Sequence, residues 1–167
     1  MDDFDLFLSI AEIAGIFVGF GALMSVLRDR QEEGLVALRV VILNGLLVLV
    51  AALIPVALSH YGLAGRALWS WSSGAFLVVC WTAILGSLRE RETRREVMDD
   101  TMANPAPAVV FWVFFEIPIQ VPLVLALLGI ASSLAPAFYV TALVLNLFQA
   151  AFLLARVVFA RDLGSGL

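Results

Sequence analysis

Charge divides this sequence. The acidic and basic residues gather at RDRQEE (28–33), at RERETRRE (89–96) and near the two ends, and long apolar runs lie between them. A helix crossing the ~30 Å hydrocarbon core of a bilayer needs about 20 apolar residues. Five runs meet that length, at about 5–27, 36–58, 67–88, 108–132 and 136–158. HYGLAGR (60–66) and SSLAP (132–136) supply the other two turns, with Gly, Ser and Pro as helix breakers.

A water-soluble fold is excluded by what such a chain would have to hide. Of its 167 residues 62% are hydrophobic and 14% charged, with a mean hydropathy of +1.02. There is too little polar surface to cover a core of that size, so the solvent is lipid. The expected fold is all-α: one integral membrane domain, 1–167, built as a bundle of five transmembrane helices. The first run is read as a span and not as a signal peptide. It opens on DDFD where a signal would be basic, and RDR follows it.

The ten cations are all arginine, and their positions predict the orientation. With five spans, Arg28, Arg30, Arg39, Arg89, Arg91, Arg94, Arg95, Arg156 and Arg161 share one side, and Arg66 stands alone on the other. The positive-inside rule then puts the N-terminus outside and the C-terminus in the cytoplasm. The expected location is the cytoplasmic (inner) membrane of a prokaryote. The longest connection, about 89–107, is charged, and NPAP (104–107) ends it. It reads either as a solvated helix end or as a docking surface for a cytoplasmic or membrane partner.

In lipid the informative residues are the costly ones. A carboxylate at mid-helix costs about 2.5–3.5 kcal/mol to insert. Glu12 and Glu116 are two such groups, and Asn44, Gln120, Asn146 and Gln149 are less costly companions. On the first span Glu12, Gly15, Gly19 and Ala22 share a stripe at 100° per residue. GIFVG (15–19) is a small-xxx-small motif, expected to pack closely against another helix. On the fourth span FEIPIQVP (115–122) combines a carboxylate and an amide with two prolines. Pro118 and Pro122 are expected to kink the helix and to leave the carbonyls of Phe114 and Pro118 without their usual donors. The fifth span carries Tyr139, Asn146, Gln149 and Arg156 on one face.

These groups outline a polar column. The function expected from it is a small homo-oligomeric channel, conducting ions and favouring cations, lined by Glu12, Glu116, Gln120, Asn146, Gln149 and Asn44. Two alternatives stand beside it. One is a proton-coupled transporter with a 2+1+2 inverted repeat, in which spans one and two correspond to spans four and five. The other is a membrane partner or assembly subunit that transports nothing. Trp69, Trp71 and Tyr61 read as an interfacial belt, and Cys80 and Thr82 as packing residues. A single Cys and a single His give no metal-ligand pattern. No catalytic or nucleic-acid-binding motif stands out, so an enzyme is not expected, nor a cofactor or metal.

Overall fold

The computed structural model describes residues 3–27, 35–89 and 109–164. Within them the chain is helical apart from short turns. α1 spans Asp3–Leu27, α2 Leu35–His60 and α3 Gly65–Arg89. A π-helical segment, Val110–Glu116, runs directly into α4, Ile117–Leu128. A 3-10 turn, Ser132–Leu134, leads to α5, Ala135–Gly164. The 89–107 connection, like Arg28, Arg30, Arg91, Arg94 and Arg95, lies almost wholly outside the described residues.

Four segments are long and apolar enough to cross a membrane: Asp5–Val26, Leu38–His60, Gly65–Gly86 and Ser132–Ala155. The expected fourth span, 108–132, is helical over Val110–Glu116 and Ile117–Leu128 and ends four residues early. Its apolar helix, Trp112–Leu128, is shorter. Gly129 ends it in the left-handed region at φ 70°. The Gly129 N–H bonds the Ala126 carbonyl at 3.1 Å and the Ile130 N–H bonds that of Leu125 at 3.0 Å, which closes the helix end as a Schellman motif does. Arg66 fastens the same end. Its guanidinium donates to the Leu128 carbonyl at 3.3 Å and lies where a side chain at residue 129 would have to go.

α2, α3, α4 and α5 form a ring in which each helix packs on the next and α5 closes back on α2. α1 lies mainly against α2. The core between them holds Val48, Ala51, Phe76, Ile119, Leu123, Tyr139 and Leu143. Around this core polarity is inverted. Val26 and Ile16 are 73% and 70% exposed, whereas Asn146 and Gln149 are each 2% exposed. That pattern suits a lipid solvent and would be costly in water.

The closest helix approach is made by glycines other than those in the expected motif. A Cβ at Gly45 would lie 2.7 Å from Val18 Cγ2, and one at Gly21 would lie 2.9 Å from Ile42 Cγ1. So α1 and α2 meet through Gly21 and Gly45. Gly19 has open space around it and Ala22 is exposed, while Gly15 makes only an ordinary contact with Leu49.

Candidate functional site

The interior site begins with a helix defect. Pro55 sits inside α2 and has no N–H for the carbonyl four residues earlier, that of Ala51. The Tyr139 hydroxyl fills the gap, donating to the Ala51 oxygen at 2.7 Å. Tyr139 is fully buried, and its ring meets those of Phe7 and Phe76 edge-on and that of Trp69 at a tilt, with centroids 5.6–6.0 Å apart. Four rings thus fill the bundle toward the end where Arg66 lies. Trp69 therefore belongs to this interior cluster and not to an interfacial belt. Trp71 and Tyr61 are exposed, as a belt requires.

Further along α5, toward the Arg89 end, the interior turns polar. The Asn44 side-chain amide donates to Gln149 Oε1 at 3.3 Å, joining α2 to α5. Asn146 lies one turn from Gln149 on the same face, with Oδ1 buried and without a partner. From the end of the π segment, Glu116 enters the interior at 8% exposure. Gln120, one turn on, has its Nε2 buried and unpartnered. From α3, buried Cys80 lies close enough to Glu116 for the two to interact electrostatically. Of the six residues expected to line a pathway, Asn44 and Gln149 are hydrogen-bonded to each other, and Glu116, Gln120 and Asn146 each place buried polar groups within the same bundle.

Glu12 does not join them. It is exposed and lies on the opposite side of α1 from Phe7, Ile10, Ala14 and Gly21, which form the packed face. The stripe it shares with Gly19 and Ala22 faces outward. This also separates the two helix pairs. α4 packs on both α3 and α5, while α1 packs mainly on α2 and reaches α3 through the Phe7–Trp69 ring contact at 5.9 Å. Glu12 and Glu116 are not equivalent in position, as an inverted repeat would have them.

The helix around Glu116 answers to its prolines. The π pattern ends with the Ile117 N–H on the Trp112 carbonyl. The next donor would be Pro118, which has none. Pro118 can serve neither Val113, its π partner, nor Phe114, its α partner. Pro122, inside α4, likewise offers nothing to the Pro118 carbonyl. The departure expected as a kink thus takes the form of a widened turn that ends at Glu116. Just beyond, Phe115 stacks on Phe152 of α5 at 5.6 Å.

Sequence reasoning missed Cys80 as a neighbour of Glu116 and missed two fully buried hydroxyls, Ser72 and Ser73, that have no partner. The stripe Trp69, Ser73, Phe76 and Cys80, at helical spacing on α3, was the available signal. Comparison with known families, with curated proteins and with solved structures found no match.

Proposed function

We propose that this chain is a multi-pass protein of a prokaryotic cytoplasmic membrane that carries a cation, in the simplest case a proton, through the interior of its own bundle. The observation behind this reading is a buried carboxylate and several buried amides inside one protomer, with Asn146 Oδ1, an acceptor, left unpartnered. A buried acceptor without a partner is costly, and a bound cation or water at Asn146 offsets the cost, while the Gln120 Nε2 donor calls for an acceptor such as water or a carboxylate. Glu116 supplies the charge. Asn146 Oδ1 and Gln149 Oε1 supply neutral oxygens, and the Asn44–Gln149 bond holds the site across two helices.

The inward placement of Glu116, Asn146 and Gln149 favours a carrier over a pore formed between protomers. Tyr139, Phe7, Trp69 and Phe76 pack together toward the Arg66 end, and Phe115 meets Phe152 beside Glu116. Site residues that faced a shared axis would lie on the outer surface. The homo-oligomeric channel remains a second reading because of Glu12, an outward carboxylate in an apolar span that another copy of the chain would shield. The arginine asymmetry supports a cytoplasmic position for the Arg89 end.

Flux in reconstituted liposomes tests the proposal. Glu116→Gln keeps the shape and removes the charge, so it should abolish cation-driven or proton-driven flux while the protein still folds. Glu12→Gln should leave flux unchanged. Equal flux from Glu116→Gln and wild type, at every pH and for every cation tried, would sink the carrier reading.

A further inference from the structure

α2 ends at His60 and α3 begins at Gly65, so the two helices pack side by side in opposite directions. On their outer side they leave an open groove of about 320 Å³. Leu43, Leu46 and Val50 of α2 form one wall, and Val79, Thr82 and Ala83 of α3 form the other. The lining is apolar in effect, because the Thr82 hydroxyl turns back to its own helix and donates to the Val79 carbonyl at 2.8 Å. Leu43, Leu46 and Val50 remain exposed among the described residues.

Both walls run on into an arginine at the same end. Arg39 precedes Leu43, Leu46 and Val50 by four, seven and eleven residues, which is one helical stripe. Arg89 follows Thr82 by seven residues, two turns along one face. Both arginines are exposed. Gly86 stands between the groove and Arg89, with open space where a Cβ would lie, so it raises no side chain across the way in. Arg39 lies one turn, ~6 Å, beyond Leu43, and Arg89 lies ~9 Å beyond Ala83. Long arginine side chains at helix ends reach the headgroup layer, and a guanidinium matches phosphate oxygens in pairs. We infer that the α2–α3 groove seats an acyl chain of an anionic phospholipid whose phosphate is held between Arg39 and Arg89. From Leu43 to Val50 the wall runs ~10 Å, the length of the upper part of one chain. A second copy seated face to face on the groove would bring its own Arg39 and Arg89 against these, like charge on like. The site rests on the reading of the chain as a membrane protein and not on the carrier reading.

Native mass spectrometry of the detergent-solubilised protein tests the site. The protein would be titrated with phosphatidylglycerol or with phosphatidylcholine of the same acyl chains, and the bound lipid counted. The wild type should prefer phosphatidylglycerol, and Arg39→Gln and Arg89→Gln should each weaken its binding about fivefold, the worth of one basic side chain beside an anionic lipid. Arg39→Lys and Arg89→Lys keep the charge and should keep most of the preference. Gly86→Leu blocks the mouth of the groove without touching a charge, and it should weaken both lipids alike. Gly86 and Arg89 are exposed, so their variants carry the test if Arg39→Gln fails to fold. Equal affinity of the wild type for the two lipids, or unchanged binding in the glutamine variants, would overturn the inference. Weakening in the arginine variants but not in Gly86→Leu would reduce the site to an anion contact and overturn the groove. A dimer population that Gly86→Leu shifts while lipid binding stays at the wild-type level would give the groove to a second copy. Recovery of the chain in the soluble fraction of cells would overturn the membrane reading and the site together. Flux plays no part in the readout, so Glu116-independent flux beside arginine-dependent lipid binding would refute the carrier and leave the lipid site standing.

Discussion

Replacing Tyr139 by Phe removes one oxygen from the bundle and should expose the cost of Pro55. The ring contacts with Phe7, Trp69 and Phe76 survive the change, because Phe keeps the ring. What is lost is the hydroxyl that donates to the Ala51 carbonyl at 2.7 Å. Hydrogen bonds between membrane helices average only ~0.6 kcal/mol, with a maximum near ~1.7, because the separated helices find other partners. Ala51 has no such recourse, since Pro55 offers its carbonyl no intrahelical donor. Stranding a buried acceptor costs about 1–3 kcal/mol. Tyr139→Phe should therefore destabilise the protein by about 1.5–2 kcal/mol, at or above the top of the usual range for membrane helices. The second arm of the cycle is Pro55→Ala, which gives Ala51 a backbone donor. In that background Tyr139→Phe should cost less than about half as much, a coupling of roughly 1 kcal/mol between two residues on different helices. Reversible unfolding of all four variants by SDS in mixed micelles measures the cycle. A cost for Tyr139→Phe that is the same with and without Pro55 would refute the compensation described here.

Two further predictions concern glycines. Gly45→Ala should push α1 from α2 and lower stability by about 1–2 kcal/mol, the cost of overpacking against a stiff valine. Gly19→Ala, with open space around it, should be neutral in the same unfolding assay, and the reverse order would show that the motif at 15–19 is the real seam. Gly129→Ala should be more harmful than an ordinary Gly→Ala change, because residue 129 needs a positive φ and Arg66 occupies the space for a Cβ. A loss of thermal stability that Arg66→Ala relieves in part, leaving the strain of φ, is the expected result. Full relief or none would contradict it.

The helical class and the position of α1, α2, α3 and α5 were legible because lipid imposes a length on each apolar run. The interior residues were legible for a related reason. Glu116, Asn146 and Gln149 are too costly to face lipid, so their identity alone predicts their direction. Glu12 broke that rule, and periodicity could not have warned of it. α1 is apolar nearly all round, so no stripe distinguishes the face that packs from the one that does not. The glycine seam was hidden for a similar reason. A small-xxx-small spacing marks a smooth strip on one helix, whereas Gly45 matters because Val18 of another helix stands over it. The end of α4 was hidden by composition, since Gly129 lies in an apolar run and only its backbone conformation stops the helix. Trp69 has the composition of a belt residue, but its place beside Phe7 and Tyr139 depends on how three helices meet.

The shortness of α4 bears on how the protein is assembled during synthesis. The apolar stretch of α4 and the π segment before it, Trp112–Leu128, reaches ~26 Å at ~1.5 Å per residue, at the short end of the ~17–25 residues that span a bilayer. The segment also carries Glu116, Gln120 and two prolines, so its own partitioning into lipid is weak. Its anchors come from residues made before and after it. Ser70 of α3 donates to the Ala126 carbonyl at 3.3 Å and Arg66 to that of Leu128, while α5 packs along the other side. In the proposed multi-pass arrangement α4 would therefore enter the membrane as a passenger of its neighbours. α3 would already be in place when it leaves the ribosome, and its final depth would be set only when α5 arrives. The residues that make α4 useful are the same ones that make it depend on this sequence of events.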